Sequence, residues 1–313
     1  MPAEFGPIEK DILKLIQAPA KPPKHTARRI GIHTSTAGGI QNAAERAYRL
    51  GCNAVQIFSS SPRQWAPYLL QPGHVSEMIR LRRQYDLKPL VIHANYLVNL
   101  AGGNPDFHAK SIAAFHGEIE RALALHADFL VLHPGSFRGA TRELGLQRAA
   151  SAIAQAAEGL DLKAGKLKIL IENTAGSEFS LGGSFEQVAE LVHLLRSYVP
   201  CAACIDTCHT HVSGYDIVSD EGYNATLALL DRTVGLKSVC VWHCNDAKAA
   251  CGSKLDRHQH IGKGSIGLKT FRRLLNDPRL AKAAFIAETP IDEPLDDLTN
   301  VTALKKLVRP VAG

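Results

Sequence analysis

Eight short apolar runs, each followed by a longer stretch of polar and apolar residues in helical mixture, limit this chain to few folds. The runs are "RIGIHT", "NAVQIF", "PLVIHA", "DFLVLH", "LKILIEN", "AACIDT", "SVCVWH" and "AAFIAE". Between or after them lie segments of helical composition such as "GIQNAAERAYRL", "AKSIAAFHGEIERALAL", "LGLQRAASAIAQAAEGL", "SFEQVAELVHLLRS", "GLKTFRRLL" and "TALKKLV". Near-continuous apolar strands alternating with helices imply parallel strands buried on both faces. Length alone, at 313 residues with 45% hydrophobic content, would fit one large domain or two ordinary ones. The repeat decides, because eight such units specify a single (β/α)8 barrel, an α/β fold of the TIM type, more naturally than an open sheet. Residues 29–313 are assigned to this barrel. Residues 1–28, rich in Pro and Lys around "APAKPPKHTARR", are expected to form a flexible N-terminal extension, either a basic arm or a plain tail.

Within those runs the polar residues fall at one place. His33, His93, His133, Glu172, Asp206, His243 and Glu288 each stand at or near the C-terminal end of an apolar run, and only the second run, "QIFSSS", lacks a ligand-type residue there. In a (β/α)8 barrel those ends converge on one mouth, where active sites are built. A single histidine at a strand end is more often a core or capping residue. Seven ligand-type residues at corresponding positions are not accounted for in that way.

The stretch "CIDTCHTH", Cys204 to His211, adds His209 three residues after Asp206, and "DRH" adds Asp256 and His258. An extended chain projects residues two apart to the same side, so Asp256 and His258 would act together. Nitrogen donors mixed with carboxylates favour Zn²⁺, with Mn²⁺ or Fe²⁺ as alternatives, over Mg²⁺, and two or three ions are expected. The seven cysteines are read as packing residues: "CAAC", Cys201 to Cys204, has no matching C-x2-C partner, and the thiols fall in or beside apolar strands. "GKGSIG", Gly262 to Gly267, formally fits G-x-G-x-x-G but follows "DRHQHI" rather than an apolar strand, so no nucleotide cofactor is expected. It reads as a flexible loop leading into the last-but-one helix, with Lys263 near a phosphate. Three divalent ions held by Glu172, Asp206, Asp256 and Glu288 would keep an excess of about two positive charges, which suits a phosphate better than a neutral sugar.

Composition excludes little else. A net charge of +6 permits a polyanionic partner without requiring one. An odd cysteine count in a chain of this length argues against a disulfide scaffold. The N-terminal stretch has no signal-peptide core, and no run approaches the roughly 20 apolar residues of a membrane span, so a cytoplasmic protein is expected.

"GIHTSTAGGIQNAAERA", "SPRQW", "HANYLVNLA", "HPGS", "IENTAG", "CIDTCHTHVSGYD", "HCNDAK" and "DRHQHIGKGSIG" together resemble the endonuclease IV family of apurinic/apyrimidinic (AP) endonucleases, over roughly residues 29 to 290. The resemblance implies three zinc ions, with Mn²⁺ an alternative at one site. One would be held by His93, His133 and Glu172, a second by Glu172, Asp206, His243 and Glu288, and a third by His209, Asp256 and His258. Glu172 and Glu288 are implied as the catalytic carboxylates, with Glu172 bridging two ions and orienting the nucleophile. His33 is not a ligand in the family and would support the ligands from behind. The family binds duplex DNA containing abasic sites, and Arg63, Gln64, Trp65 and Tyr96 correspond to groups that fill or brace the emptied base stack. Read without the resemblance, Trp65 and Tyr96 would pass for core aromatics. The usual "HDSYLIN" appears as "HANYLVN", so Ala94 stands in place of an acidic residue beside His93.

The implied activity is hydrolysis of the phosphodiester 5′ to an abasic site, in base excision repair, by a monomer that also cleans blocked 3′ ends. A metal-dependent sugar isomerase or epimerase on the same barrel, and a damaged-DNA binder without turnover, are the rivals. The first would carry one or two ions in a carboxylate-rich site, and the second would have lost ligands.

Overall fold

The structure is a computed structural model that describes residues 13, 15–66 and 68–310. Its strands β1 (Arg29–His33), β2 (Ala54–Phe58), β3 (Leu90–His93), β4 (Phe129–Leu132), β5 (Lys168–Glu172), β6 (Cys201–Asp206) and β7 (Val239–His243) pair in parallel. A ribbon follows, β8 (Asp246–Ala247) antiparallel to β9 (His258–Gln259), before the last barrel strand, β10 (Ala284–Ala287). β10 pairs with both β7 and β1, which closes the barrel. Every apolar run of the sequence is one of the eight barrel strands; the two-residue strands of the ribbon are too short to show as apolar runs.

Helices α1 (Asn42–Arg49), α2 (Pro72–Gln84), α3 (Pro105–Ala124), α4 (Arg142–Ala156), α5 (Phe185–Leu195), α6 (Thr207–Val212), α7 (Asp220–Thr233), α8 (Gly267–Asn276) and α9 (Asp296–Leu307) lie in the connections and after β10. Their starts are written locally. Asn104, Thr141, Ser184, Asp206 and Ser219 each accept from the amide three residues on, satisfying a donor that the helix leaves over, and Pro72 and Pro105 open their helices.

Two apolar cores follow from strand alternation. The larger one packs outward-facing strand residues such as Ile30, Val55, Ile92, Leu130, Ile171 and Phe285 against the helices. A smaller one fills the barrel with Ala54, Val91, Val131, Leu170, Ala202, Cys204, Val241 and Ile286. In β1 the corresponding position is Gly31, where a Cβ would lie 2.4 Å from the Ala54 carbonyl oxygen, so no larger residue fits.

The described part of the N-terminal extension lies at the end of the barrel where β1 begins. Arg28 donates to the carbonyls of Leu275 and Asp277, and Arg49 to those of Leu13 and Ile16. Residues 1–12 and 14, on which the expectation of flexibility also falls, lie outside the described residues. Among the described residues, no helix is long and apolar enough to cross a membrane.

Candidate metal centre at the barrel mouth

Side chains two residues apart on a strand face the same way. Two residues beyond the inner core residues Ala54, Val91, Val131, Leu170, Cys204, Val241 and Ile286 stand Gln56, His93, His133, Glu172, Asp206, His243 and Glu288, and two beyond Gly31 stands His33. Each strand therefore contributes one polar side chain to a single layer above the inner core. The second strand does so too, with an amide that counting ligand types alone passes over.

Glu172 is fully buried at the centre. Its Oε2 lies 3.1 Å from His93 Nε2 and 3.4 Å from His133 Nε2, and its Oε1 lies 2.8 Å from His243 Nδ1 and 3.5 Å from His209 Nδ1. Glu288 Oε2 is 3.1 Å from the same His243 nitrogen. His33 Nδ1 sits behind Glu288, 3.3 Å from Oε1.

The spacing of Asp206 and His209 has a structural cause. Asp206 caps α6 by accepting from the His209 amide at 2.8 Å, which sets the histidine one turn above the strand end. Asn245 donates to Asp206 Oδ2 at 2.6 Å and accepts from the Glu288 amide at 2.8 Å, linking two strand ends through one side chain. The ribbon carries the remaining pair: Asp256 bridges His209 Nε2 at 3.2 Å and His258 Nε2 at 3.3 Å.

Four imidazoles have one ring nitrogen tied to an acceptor. His93 Nδ1 donates to the Ala94 carbonyl at 2.8 Å, His209 Nδ1 to the Asn173 carbonyl at 2.9 Å, His258 Nδ1 to the Glu288 carbonyl at 3.0 Å, and His243 Nε2 to Gln56 Oε1 at 2.8 Å. The second nitrogen of each faces the carboxylates, as a ligating histidine requires. Ala94 thus holds His93 through its main chain, and the lost acidic side chain leaves this bond intact. The buried Nε2 atoms of His209 and His258, though within 3.3 Å of Asp256, are not aligned for a hydrogen bond with it or any other group, a sign that this donor set fits an ion.

Charges inside the cluster are strongly coupled. Burial works to raise Glu172, yet the His243 and His133 imidazoles hold it well below the usual carboxylate range. Burial works to lower His243, and Glu288 and Glu172 override it to about 9. His258 is likewise opposed by burial and lifted to about 9 by Asp206 and Asp256. Burial keeps the His133 and His33 imidazoles below the ordinary histidine value.

Groups whose ligand atoms lie within 4.8 Å of one another include His93 with His133 and Glu172; Glu172 with Asp206, His243 and Glu288; and Asp206 with His209 and His258. Cys204 and Cys208 also border such groups, but burial raises both thiols, and Cys208 donates to the Arg257 carbonyl. Packing does not explain all seven cysteines: Cys251 is exposed.

At the rim, Arg63, Gln64, Trp65 and Tyr96 are exposed rather than core, with Trp65 at 37% and Tyr96 at 53%. Tyr96 packs edge-on against Phe58, ring centres 5.1 Å apart, beside His93. The loops carrying them are joined by Asn95, whose amide donates to the carbonyls of Ser61 and Gln64, both at 2.9 Å. Glu118 on α3 braces the same loop by accepting from Ser59 and from Ser60. A cavity of about 410 Å³ opens between the loops after β1 and β2, lined in part by His33, Ser35, Thr36, Ser59 and Tyr68.

The "GKGSIG" loop has its anion inside the chain. The amides of Gly262, Ile266 and Gly267 donate to the buried Asp246 carboxylate, so the loop is pinned rather than flexible, and these amides do not cradle a phosphate. A Cβ at Gly264 would lie 2.4 Å from the Ala247 carbonyl oxygen, which explains the glycine there. Gln56, Asn95, Asn173, Asn245 and Asp246 escape ligand-type reasoning; the signal that finds Gln56 is its place two residues beyond Ala54.

A family model described as "Xylose isomerase-like TIM barrel" matches residues 44–308. A protein named "Probable endonuclease 4" from Solibacter usitatus is 46% identical over 281 residues, covering 89% of this chain and 96% of that protein. One of the same name from Chloroflexus aurantiacus is 41% identical, covering 90% and 98%. Among solved structures, endonuclease IV from Thermus thermophilus superposes with a TM-score of 0.79 at 37% identity, covering 89% of this chain and 98% of that one. A D-tagatose 3-epimerase-like protein, at 18% identity and a TM-score of 0.63, shares the fold alone. With the convergent donor layer and near full-length identity to its relatives, the chain belongs to the endonuclease IV family, on a xylose isomerase-like TIM barrel.

Proposed function

We propose that this enzyme is a zinc-dependent AP endonuclease, hydrolysing the phosphodiester 5′ to an abasic site in duplex DNA to leave a 3′-hydroxyl and a 5′-deoxyribose phosphate, and cleaning blocked 3′ ends by the same chemistry. The observation that carries it is the convergence of nine donors on the barrel mouth around the buried Glu172, in a chain whose relatives bear the endonuclease 4 name. His93, His133 and Glu172 would hold one ion, Glu172, Asp206, His243 and Glu288 a second, and His209, Asp256 and His258 a third. Divalent ions held by these residues would supply Lewis-acid stabilisation of the charge that develops on phosphate oxygens and would acidify water.

The chain's own residues do the rest. Glu172 and Glu288 balance the charge of the layer and orient its imidazoles, while Asp206 joins the strand layer to α6. Arg63, Gln64, Trp65 and Tyr96, exposed on loops that Asn95 ties together, offer a guanidinium, an amide and two rings to a duplex opened at the lesion. The hydroxyl-lined cavity beside His33 offers donors to sugar and phosphate oxygens.

The test is a labelled duplex carrying one synthetic abasic site, incubated with the protein before and after prolonged chelation, with the product ends sized. Incision on the 5′ side that chelation removes and zinc restores is expected, with about three zinc ions per chain by elemental analysis. No incision by zinc-loaded protein would overturn the proposal, and one or two oxygen-preferring ions would favour a sugar isomerase.

Asn95→Ala should act on binding. It leaves the carbonyls of Ser61 and Gln64 without their donor, at a cost of about 1–3 kcal/mol in loop order. KM for abasic duplex should rise roughly tenfold while kcat changes little, as read from steady-state incision. An unchanged KM would show that the loops keep their shape without Asn95.

A further inference from the structure

Seven strands bring a histidine or carboxylate to the mouth layer, and the remaining one, β2, brings Gln56. We infer that Gln56 is a positioning residue of the metal centre proposed above, fixing the tautomer of His243 and the placement of Glu288 so that both present ligand atoms to one point. The inference rests on the metal-centre reading and adds a residue that this reading does not include.

Gln56 is fully buried and touches three members of the layer. Its Nε2 donates to Glu288 Oε1 at 2.5 Å and lies 3.0 Å from His33 Nδ1, and its Oε1 lies 2.8 Å from His243 Nε2. The two ends of an amide are told apart by their partners. An ionised carboxylate oxygen only accepts, so the NH₂ faces Glu288. The carbonyl therefore faces His243, whose Nε2 must carry the hydrogen. In the neutral ring that a metal requires, this leaves Nδ1 to offer a lone pair, and Nδ1 is the atom that lies 2.8 Å from Glu172 Oε1 and 3.1 Å from Glu288 Oε2.

A neutral amide suits this place better than an acid or an imidazole. It accepts from one ligand and donates to another without adding charge, and its polarity does not change with pH. Burying it without partners would cost more than a methionine of similar length, so its presence at a fully buried position is explained by the two ligands it joins.

Gln56→Met keeps length and volume and removes all of these hydrogen-bonding contacts. Wild type and variant would be stripped of metal, checked for folding by circular dichroism, and titrated with Co²⁺ while the visible ligand-field bands are recorded, with affinity measured by chelator competition. The expected result is a folded variant with altered cobalt bands and an affinity about 10- to 100-fold weaker for the ion at His243 and Glu288. Superimposable spectra and equal affinity would overturn the role of Gln56. A wild type that takes up no cobalt would sink the metal-centre reading itself, and the positioning role with it. If Gln56→Met fails to fold, ¹H–¹⁵N correlation of the imidazole rings in metal-loaded wild type decides: a protonated His243 Nε2 supports the inference, and an unprotonated one overturns it.

Discussion

Glu172→Gln should lower single-turnover incision of an abasic duplex by at least about 10³-fold, corresponding to about 4 kcal/mol of lost transition-state stabilisation. The size follows from position. Glu172 is fully buried, and its two oxygens lie within 3.5 Å of the imidazoles of His93, His133, His209 and His243. An amide of the same shape removes the negative charge and turns one acceptor into a donor that points at nitrogen atoms. The neighbouring imidazoles lose the carboxylate that balances them, and two of the proposed ion sites lose their shared ligand. Elemental analysis of the variant should therefore show fewer ions per chain than wild type. Circular dichroism separates this loss from unfolding, since removing one partner from a buried charged cluster also destabilises the protein, by about 3–5 kcal/mol. A folded Glu172→Gln that keeps more than a tenth of the wild-type rate would show that the chemistry is centred elsewhere.

The barrel and most of its mouth layer are legible in the sequence because both obey strand periodicity. Val91 and His93, Leu170 and Glu172, Val241 and His243 each pair an inner core residue with a polar one two positions on, and the pattern recurs from strand to strand. Candidate donors outside the strands are legible where spacing has a local cause, as with Asp206 and His209 across a helix cap, or Asp256 and His258 on an extended segment. What escapes is set by tertiary contact. Gln56 has no ligand chemistry of its own and is recognised only once His243 and Glu288 are seen on either side of it. The part Ala94 plays is equally hidden, because it is the main-chain carbonyl and not a side chain that holds His93. The exposure of Trp65 and Tyr96 could not be read from their aromatic character, because a ring on a loop and a ring in a core look alike in sequence.

Asp246 is the clearest case, and its removal is the second large effect expected. Its Oδ1 accepts from the amides of Ala247 at 2.9 Å and Ile266 at 2.8 Å, and its Oδ2 from those of Gly262 at 3.0 Å and Gly267 at 3.2 Å. One buried carboxylate thus gathers the loop that follows His258 and the start of α8. In Asp246→Ala four amides lose their acceptor. Because the loop can open and let water reach some of them, the net cost should be about 3–5 kcal/mol rather than the full sum. For a chain of 313 residues that corresponds to a fall in Tm of roughly 5–8 °C. The ribbon that presents Asp256 and His258 should loosen, so the variant should retain about one metal ion fewer than wild type, and limited proteolysis should cut first between residues 258 and 267. Asp246→Asn keeps an acceptor for only part of the set and should fall between the two. A Tm within about 2 °C of wild type, with unchanged metal content, would mean that the glycine-rich loop is held by its packing and not by this carboxylate.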